Sequence, residues 1–460
     1  MLFNTYGFLL VFLPAALLIY WFADKSERWR TWVLVALSCV FYSYWDVRFL
    51  PLMIGSILFN WWMANLYAAT KKHILIKAAI VGNLLVLAFF KYTNFLADTF
   101  TILLGAQISH LSLALPLGIS FFTFHHIMYL VDLGRGKAPT YSLDRYALYI
   151  CFFPQAIAGP IARWSEVIHQ FGHRVFAPGW ERRAALGAIF IIIGLAQKTL
   201  LADPIGKAID PIYAQALTGE LIPGRAWLTL GFAFQVFFDF SAYSDIAIGL
   251  ALLFGVKLPI NFDAPFRATT ILDFWQRWHM TLGRFLRDYV FMPLSNIQIG
   301  GRALRTTRLL VALLLTMAIC GLWHGAGWTY VLWGTLQGVA MVTAAIWRRY
   351  GPPLPSMIGW ALTIGFFVIT SVFFRAGSLE AVWRIYDGLA YIPSWASSQN
   401  RDAVLIGAIA AVALPATHKL VEPLARIPRQ VTAVGLAVLA MVAMAAIAGQ
   451  SNFEFVYFQF

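Results

Sequence analysis

Long apolar runs with almost no charge are the feature that most constrains this chain of 460 residues. They recur between residues 7 and 449. Many of them approach the roughly 20 residues that a helix needs to cross a hydrocarbon core of about 30 Å. The composition agrees, because 60% of the residues are hydrophobic and only 12% are charged, whereas soluble domains have about 25% charged residues. The sequence therefore predicts an all-α, polytopic membrane protein.

The apolar windows predict roughly ten to twelve membrane spans on the 20-residue criterion. The windows lie near residues 7–23, 31–47, 50–70, 76–93, 112–131, 146–162, 184–202, 226–256, 309–322, 328–347, 357–374, 403–417 and 431–449. No polar stretch between them is long enough to form a separate soluble domain. We therefore expect residues 1–460 to form a single transmembrane domain.

The distribution of charge predicts the orientation of the chain. The net charge is +13, and Lys and Arg lie mainly between the apolar windows, which is typical of a membrane protein whose basic loops face the cytoplasm. The charged stretch 24–30 follows the first window. Residues 1–23 have neither the basic start nor the cleavage site of a signal peptide. We therefore expect a retained first span with a periplasmic N-terminus.

Proline and glycine interrupt three of the apolar windows, at residues 114–120, 153–160 and 321–327. Irregular backbone at membrane depth is tolerated only where protein buries it or a water-filled cavity solvates it. One such break is as readily a proline kink, but three beside polar residues favour re-entrant segments around a cavity. Residues 273–290 are basic and rich in tryptophan, which is typical of an amphipathic helix in the membrane interface.

His324 is the strongest candidate for chemistry in the sequence. It lies between Trp323 and Trp328 in an otherwise apolar stretch, and ionisable groups within a membrane are functional candidates. An imidazole, with a reference pKa of about 6.5, can accept or donate a proton at cellular pH. The glycines beside it allow close approach of a substrate or of another backbone. The alternative is a structural histidine, hydrogen-bonded between packed aromatic rings.

The other ionisable residues in apolar surroundings favour structural interpretations. Asp239 and Asp245 are six positions apart and do not share a helical face. They could line a polar passage or relay protons, but pairing with buried Arg or backbone donors is favoured. His279, alone on the aromatic face of the stretch 273–290, is typical of a packing residue. The adjacent His125 and His126 diverge by about 100° on a helix, so no metal site is expected.

Several short motifs, spread over the whole chain, form a specific combination. They are LFNTYGFL (2–9), GISFFTF (118–124), FPQAIAGPI (153–161), DFSAYSD (239–245), NF (261–262) with PF (265–266), FWQRWH (274–279), LWHGAGW (322–328) with LWG (332–334), and YFQF (457–460). Together they resemble the membrane-bound O-acyltransferase (MBOAT) family, and within it the alginate O-acetyltransferases of the bacterial inner membrane.

The resemblance implies the MBOAT fold, with re-entrant and interfacial helices around a central tunnel, and no resident cofactor. It maps the invariant catalytic histidine of the family onto His324 and its second recurrent histidine onto His279, so both are predicted to be catalytic. The chain departs from the family pattern at two positions. Gln337 stands where relatives often have histidine, and His125 where glutamine is common, so the acceptor stays open.

The implied reaction starts from acetyl-CoA as the cytoplasmic donor, its phosphates near basic loops that contain Arg284, Arg287 and residues 302–308. His324 would act as general base toward an acceptor hydroxyl from the other side of the inner membrane. The acceptor could be an alginate-like exopolysaccharide, cellulose or peptidoglycan, and a separate periplasmic partner protein is expected. Alternatives are a D-alanyl or lipid acyltransferase of the same family, or a non-enzymatic transporter, which also has broken helices.

Overall fold

The computed structural model describes nine segments of the chain, and every regular element within them is a helix. The described residues are 2–23, 26–105, 108–172, 174, 177–297, 305–394, 398–424, 429–448 and 455–456. They divide into two compact units. The first unit contains residues 2–192 and 243–259, and the second contains residues 193–242, 260–448 and 455–456.

The helices of the first unit alternate between long apolar helices and short, interrupted ones. They are α1 (Leu13–Phe22), α2 (Glu27–Ser43), α3 (Leu50–Thr70), α4 (His73–Leu104), α5 (Ile119–Gly134), α6 (Leu143–Cys151), α7 (Phe153–Ala156), α8 (Trp164–Val167) and most of α9 (Trp180–Ala196). Their ends follow local chemistry. Ser26 accepts a hydrogen bond from the Trp29 N–H at the start of α2, and Gly105 ends α4 in the left-handed conformation that glycine favours.

The second unit contains most of the remaining helices. They are α10 (Asp203–Thr218), α11 (Phe232–Leu253, which continues into the first unit), α12 (Ile271–Arg277), α13 (Met280–Leu286), α14 (Met292–Ser295), α15 (Arg305–His324), α16 (Trp328–Tyr350), α17 (Ser356–Arg375), α18 (Leu379–Leu389), α19 (Ser398–Ala413), α20 (Thr417–Leu424) and α21 (Arg429–Ala448). Short π-helical turns span Gly7–Phe12, Gln197–Ala202 and Arg287–Phe291, and 3₁₀ turns span Val47–Phe49, Ile168–Gly172, Arg225–Gly231 and Pro265–Arg267.

Eight helical segments among the described residues are long and apolar enough to cross a membrane. They are Val47–Thr70, His73–Leu104, Trp180–Thr218, Arg225–Leu253, Thr306–His324, Trp328–Tyr350, Ser356–Arg375 and Gln430–Ala448. The polytopic, all-helical prediction is therefore confirmed for the part of the chain that the structure describes. Other apolar windows form shorter helices, among them Gly7–Phe22, because turns or proline and glycine residues interrupt them.

The spans differ widely in how deeply the protein buries them. In the segment Arg225–Leu253, which includes α11, 89% of the most apolar window is buried, against 22% in His73–Leu104 and 11% in Gln430–Ala448. A helix that is apolar all round and enclosed by other helices is a core element, whereas an exposed apolar helix faces lipid. Polar residues on α11 therefore lie inside the protein.

Two of the three predicted breaks contact each other in the first unit. Gly118 precedes α5 with φ +71°, and a Cβ at this position would lie 2.7 Å from the Ala156 carbonyl oxygen. That contact joins the break at 114–120 to the break at 153–160, where the short helices α6 and α7 replace a plain crossing. Glycine is needed at position 118 because both the φ angle and the close approach exclude a side chain.

The predicted continuous helix over 273–290 is wrong, because the structure breaks it between α12 and α13. His279 adopts φ +43°, outside the helical region, and Thr281, which a single helix would place on the charged face, is buried. The reason is tertiary. The Met280 N–H donates to the Asn261 carbonyl oxygen at 2.8 Å, and the Asp263 N–H donates to the Arg277 carbonyl oxygen at 3.0 Å.

Candidate active site

A tight helical hairpin in the second unit positions His324. His324 is the last residue of α15, and α16 begins at Trp328 after a turn of three residues. Gly321 and Gly334 let the two helices meet backbone to backbone. A Cβ on Gly334 would lie 2.3 Å from the Met317 carbonyl oxygen, and one on Gly321 would lie 2.2 Å from the Tyr330 carbonyl oxygen. Any side chain at these glycines would force the helices apart and displace His324.

Three aromatic rings surround the His324 imidazole edge-on. Their centroids lie 4.7 Å (Trp323), 5.5 Å (Trp333) and 5.1 Å (Phe374) from the centroid of His324. The cage limits the orientations of the imidazole through packing. The packing therefore holds the ring in place at the C-terminal end of α15.

His324 borders a small cavity that lies wholly within the second unit. The cavity has a volume of about 30 Å³, which is room for one or two waters. Its lining is Phe232, Val236, Phe240, Trp278, His324, Trp333, Phe367, Ser371 and Phe374. His324 and Ser371 are the members of this lining with polar groups besides the tryptophan N–H groups. An imidazole beside an apolar cavity suits acyl transfer, because apolar walls limit the access of competing bulk water.

His279, the second predicted catalytic residue, is buried in the same unit. Its ring contacts the Phe240 ring edge-on, with centroids 4.6 Å apart. Phe240 and the neighbouring Trp278 both line the cavity beside His324. The structure thus brings the two predicted histidines to the same cavity, His324 on its wall and His279 behind Phe240. Their catalytic roles stay predictions.

The backbone at His279 is strained. Its φ of +43° and ψ of +53° lie in the left-handed region, which costs a residue with a Cβ about 1–2 kcal/mol. Such strain persists only where the surrounding structure imposes it, and it is concentrated at functional sites. Here the imposing contact is Asn261, whose Oδ1 lies 3.0 Å from His279 Nδ1. Sequence motifs drew attention to Asn261 but assigned it no role.

Asp239 is paired, as predicted, rather than free to carry protons. The Lys198 ammonium lies 2.7 Å from Asp239 Oδ1 and 2.8 Å from Asp203 Oδ1. Lys198 and Asp239 are almost fully buried, on the π-helical turn before α10 and on α11. The cluster links two helices of the second unit, and its charges offset one another where water is excluded. Asp245, also buried, belongs to the first unit.

The two residues that depart from the family pattern, Gln337 and His125, are both buried and packed against neighbouring side chains. Gln337 on α16 is buried, and its Nε2 donates to Thr370 Oγ1 on α17 at 2.8 Å. In the first unit His125 is buried with its ring edge-on to Tyr149. Its neighbour His126 hydrogen-bonds through Nδ1 to the Tyr146 hydroxyl at 2.7 Å. The two imidazoles therefore have different surroundings, in keeping with divergence on a helix.

The arginines proposed to lie near the donor phosphates are only partly described. Arg287 pairs with Asp288 at 2.8 Å, and Arg308 donates to the Ile297 carbonyl oxygen at 3.1 Å. Residues 302–304 and the motif at 457–460 lie outside the described residues. The arginine prediction therefore stays a prediction.

Much of the cavity wall comes from residues that the sequence did not single out. Trp333 lies in a family motif, so the motif could have suggested it. Phe374 lies at the end of α17 in an ordinary apolar window, and no local pattern sets it apart. It becomes part of the site because α17 packs on the hairpin and carries its ring to His324.

Comparisons with known proteins place the chain among acyltransferases of the membrane. The chain is 36% identical to a peptidoglycan O-acetyltransferase from Helicobacter pylori over 427 residues, which cover 85% of this chain and 80% of the relative. It is 36% identical to a probable alginate O-acetylase from Pseudomonas aeruginosa, over 88% of this chain and 78% of the relative. A teichoic acid D-alanyltransferase from Streptococcus thermophilus is 30% identical over 58% of this chain and 69% of the relative. The model of the membrane-bound O-acyltransferase family matches residues 9–378. The chain belongs to the membrane-bound O-acyltransferase family.

Proposed function

We propose that this protein is an O-acetyltransferase of the bacterial inner membrane, moving acetyl groups from cytoplasmic acetyl-CoA to an extracytoplasmic polysaccharide. The observation that carries the proposal is His324, held in an aromatic cage at the end of α15 and bordering an apolar cavity. The names of two relatives that are each 36% identical support O-acetylation, of peptidoglycan in one and of alginate in the other.

In the proposed reaction His324 acts as general base. It takes the proton of an acceptor hydroxyl while the hydroxyl oxygen attacks the thioester carbonyl carbon of acetyl-CoA. The C–S bond then breaks, an ester forms, and the imidazolium returns the proton to the departing thiolate. A positioned base of this kind contributes about 10²–10⁴-fold to a rate. His279 would assist from behind Phe240.

The cavity must open before it can accept substrates. At about 30 Å³ it has room for water only, and a pantetheine arm is far larger. Its walls are side chains from α11, α15, α16 and α17 together with Trp278. We expect rotation of these aromatic rings to create a passage for donor and acceptor from opposite faces. A separate periplasmic protein would complete transfer to the polysaccharide, and the N-terminus would face the periplasm.

The test is acetyl transfer in sealed vesicles that contain the purified full-length protein. Radiolabelled acetyl-CoA is supplied on the cytoplasmic face. Alginate, cellulose or peptidoglycan fragments are supplied on the other face, with and without a periplasmic extract of the source cells. His324→Ala and His324→Gln are compared with His110→Ala, since His110 is an exposed histidine that pairs with Asp98. Loss of transfer in both His324 variants, with His110→Ala active and all variants folded, supports the proposal. Transfer at the parental rate in His324→Gln refutes the assignment of His324.

D-alanyl transfer is the second candidate, favoured by the likeness to the teichoic acid D-alanyltransferase. That relative matches a smaller share of the chain, at lower identity, than the O-acetylating ones. Donor choice separates the two functions. Supplying the vesicles with a carrier-bound D-alanyl thioester in place of acetyl-CoA should give no transfer if the proposal is right. Substrate flux without acyl transfer from any donor, long-chain acyl-CoA included, would instead indicate a transporter.

A further inference from the structure

Three hydrogen bonds converge on the side-chain oxygen of Asn261. Oδ1 lies 3.0 Å from His279 Nδ1, 3.3 Å from the Thr281 backbone nitrogen and 2.9 Å from the Thr281 hydroxyl. All three residues are buried. The same asparagine accepts the Met280 N–H through its backbone carbonyl at 2.8 Å. Asn261 therefore holds both the ring of His279 and the backbone of the two residues that follow it.

This arrangement determines which nitrogen of His279 carries the proton. A backbone N–H can only donate a hydrogen bond, so the amide atom that faces the Thr281 N–H must be the oxygen. That oxygen can only accept, so His279 Nδ1 must carry the proton and donate it. In the neutral ring, Nε2 is then left with a lone pair and can only accept a hydrogen bond.

The accepting nitrogen has no protein partner in the described part of the chain. His279 is 1% exposed, and Nε2 is fully buried without a hydrogen bond to a described residue. Buried polar atoms in folded proteins are nearly always hydrogen-bonded. Only the Phe240 ring separates His279 from the cavity that His324 borders. A hydrogen-bond donor on a bound substrate would therefore suit the unsatisfied Nε2.

We infer that Asn261 is a positioning residue that fixes His279 as an Nε2 acceptor for an O–H or N–H group of the bound substrate. The inference rests on the proposed function for the identity of that substrate. Two sources share the required chemistry, the hydroxyl of the acceptor and an amide N–H of the pantetheine arm of the donor. Either group would donate a hydrogen bond to Nε2, and this hydrogen bond would be lost when the imidazole gains a second proton.

The first experiment measures the tautomer and does not depend on activity. In ¹⁵N-histidine-labelled protein, His279→Gln removes one imidazole spin system and so assigns it. Above neutral pH we expect the His279 proton on Nδ1, and in Asn261→Leu we expect a mixture of tautomers. A proton on Nε2 in the parent protein would overturn the inference. Absence of acetyl transfer, in contrast, would refute the proposed function alone.

The second experiment uses kinetics to separate positioning from packing. Asn261→Ala should lower acetyl transfer by about 10- to 100-fold, part of the 10²–10⁴ that a positioned acid–base group contributes. Asn261→Asp keeps a side-chain oxygen that accepts from His279 Nδ1, but its negative charge favours the protonated His279 ring. The pH below which activity falls should therefore rise by about 1–2 units. Asn60→Leu, which removes another buried asparagine, should lower stability and leave the pH profile in place.

The kinetic constants also identify the bound group. A rise confined to the KM for acetyl-CoA in Asn261→Ala indicates the pantetheine amide, and a fall in kcat or a rise in the acceptor KM indicates the hydroxyl. Either result supports the inference. Equal losses in Asn261→Ala and Asn261→Asp with an unchanged pH profile would overturn it, because a merely structural asparagine gives that pattern.

Discussion

Adding a single methyl group at Gly334 should damage catalysis by moving His324. The added Cβ would lie 2.3 Å from the Met317 carbonyl oxygen and 2.8 Å from the Gly321 Cα. Carbon atoms reach a favourable separation at about 3.5–4.0 Å, so α15 and α16 would have to separate by roughly 1 Å. Overpacking of this kind costs about 1–3 kcal/mol, and a misplacement of about 1 Å can cost about 10²-fold in rate.

The assay for Gly334→Ala combines acetyl transfer in vesicles with thermal unfolding in detergent. The chain offers a matched control in Gly365, which lies inside α17 in the same unit. No atom outside its own stretch of helix lies within 4 Å of the place that an added methyl group would take. Gly365→Ala should stabilise the helix by about 0.5–1 kcal/mol and leave transfer unchanged. We therefore expect opposite signs of the stability change for the same chemical substitution.

The reasoning would be refuted if Gly334→Ala kept the parental rate and melting temperature. That result would show that the hairpin can open without disturbing His324. If Gly334→Ala lost stability but kept its rate, the close contact would be real and the link to catalysis wrong. Gly321→Ala, which places a methyl group against the same contact from the other helix, should repeat the result of Gly334→Ala.

Three further predictions concern polar contacts and are checked by melting temperatures of the purified protein. Lys198→Met should lower the free energy of unfolding by about 3–5 kcal/mol, because it leaves the Asp239 charge buried without its cation. The double variant with Asp239→Leu should recover most of this loss. A single variant as stable as the parent protein would contradict the prediction. Asn60→Leu should lower the free energy of unfolding by about 1–3 kcal/mol, since Asn60 and Asn83 donate to each other's Oδ1 at 3.1 and 2.7 Å. Adding Asn83→Leu to this variant should lower it little further. Thr270→Ala should lower the free energy of unfolding by about 1 kcal/mol through loss of the N-cap of α12, whereas Thr270→Ser should lower it less. Equal losses in these two variants would show that the cap contributes nothing.

The membrane architecture could be predicted from the sequence because it depends on local composition. A helix crosses a membrane when about 20 consecutive residues are apolar, whatever they contact, and the windows around α3, α4, α16 and α17 come close to or meet that criterion in isolation. His324 could be singled out for the same local reason, as an ionisable residue in an apolar stretch between tryptophans. The pairing of Asp239 followed from the cost of an unpaired charge inside a membrane.

The geometry of the site depended on tertiary contacts instead. Periodicity over residues 273–290 favoured one continuous helix. Hydrogen bonds with Asn261 and Asp263, more than ten positions earlier, hold the break at which His279 adopts a left-handed conformation. Likewise Phe374 is an ordinary apolar residue until α17 brings it to His324. The sequence by itself determined that the chain enters the membrane and which histidine is exceptional there, because these follow from the residues and their immediate neighbours. Only the tertiary structure decided that His324 borders the cavity and that His279 lies behind Phe240 in its wall, since both depend on contacts between residues distant in the chain.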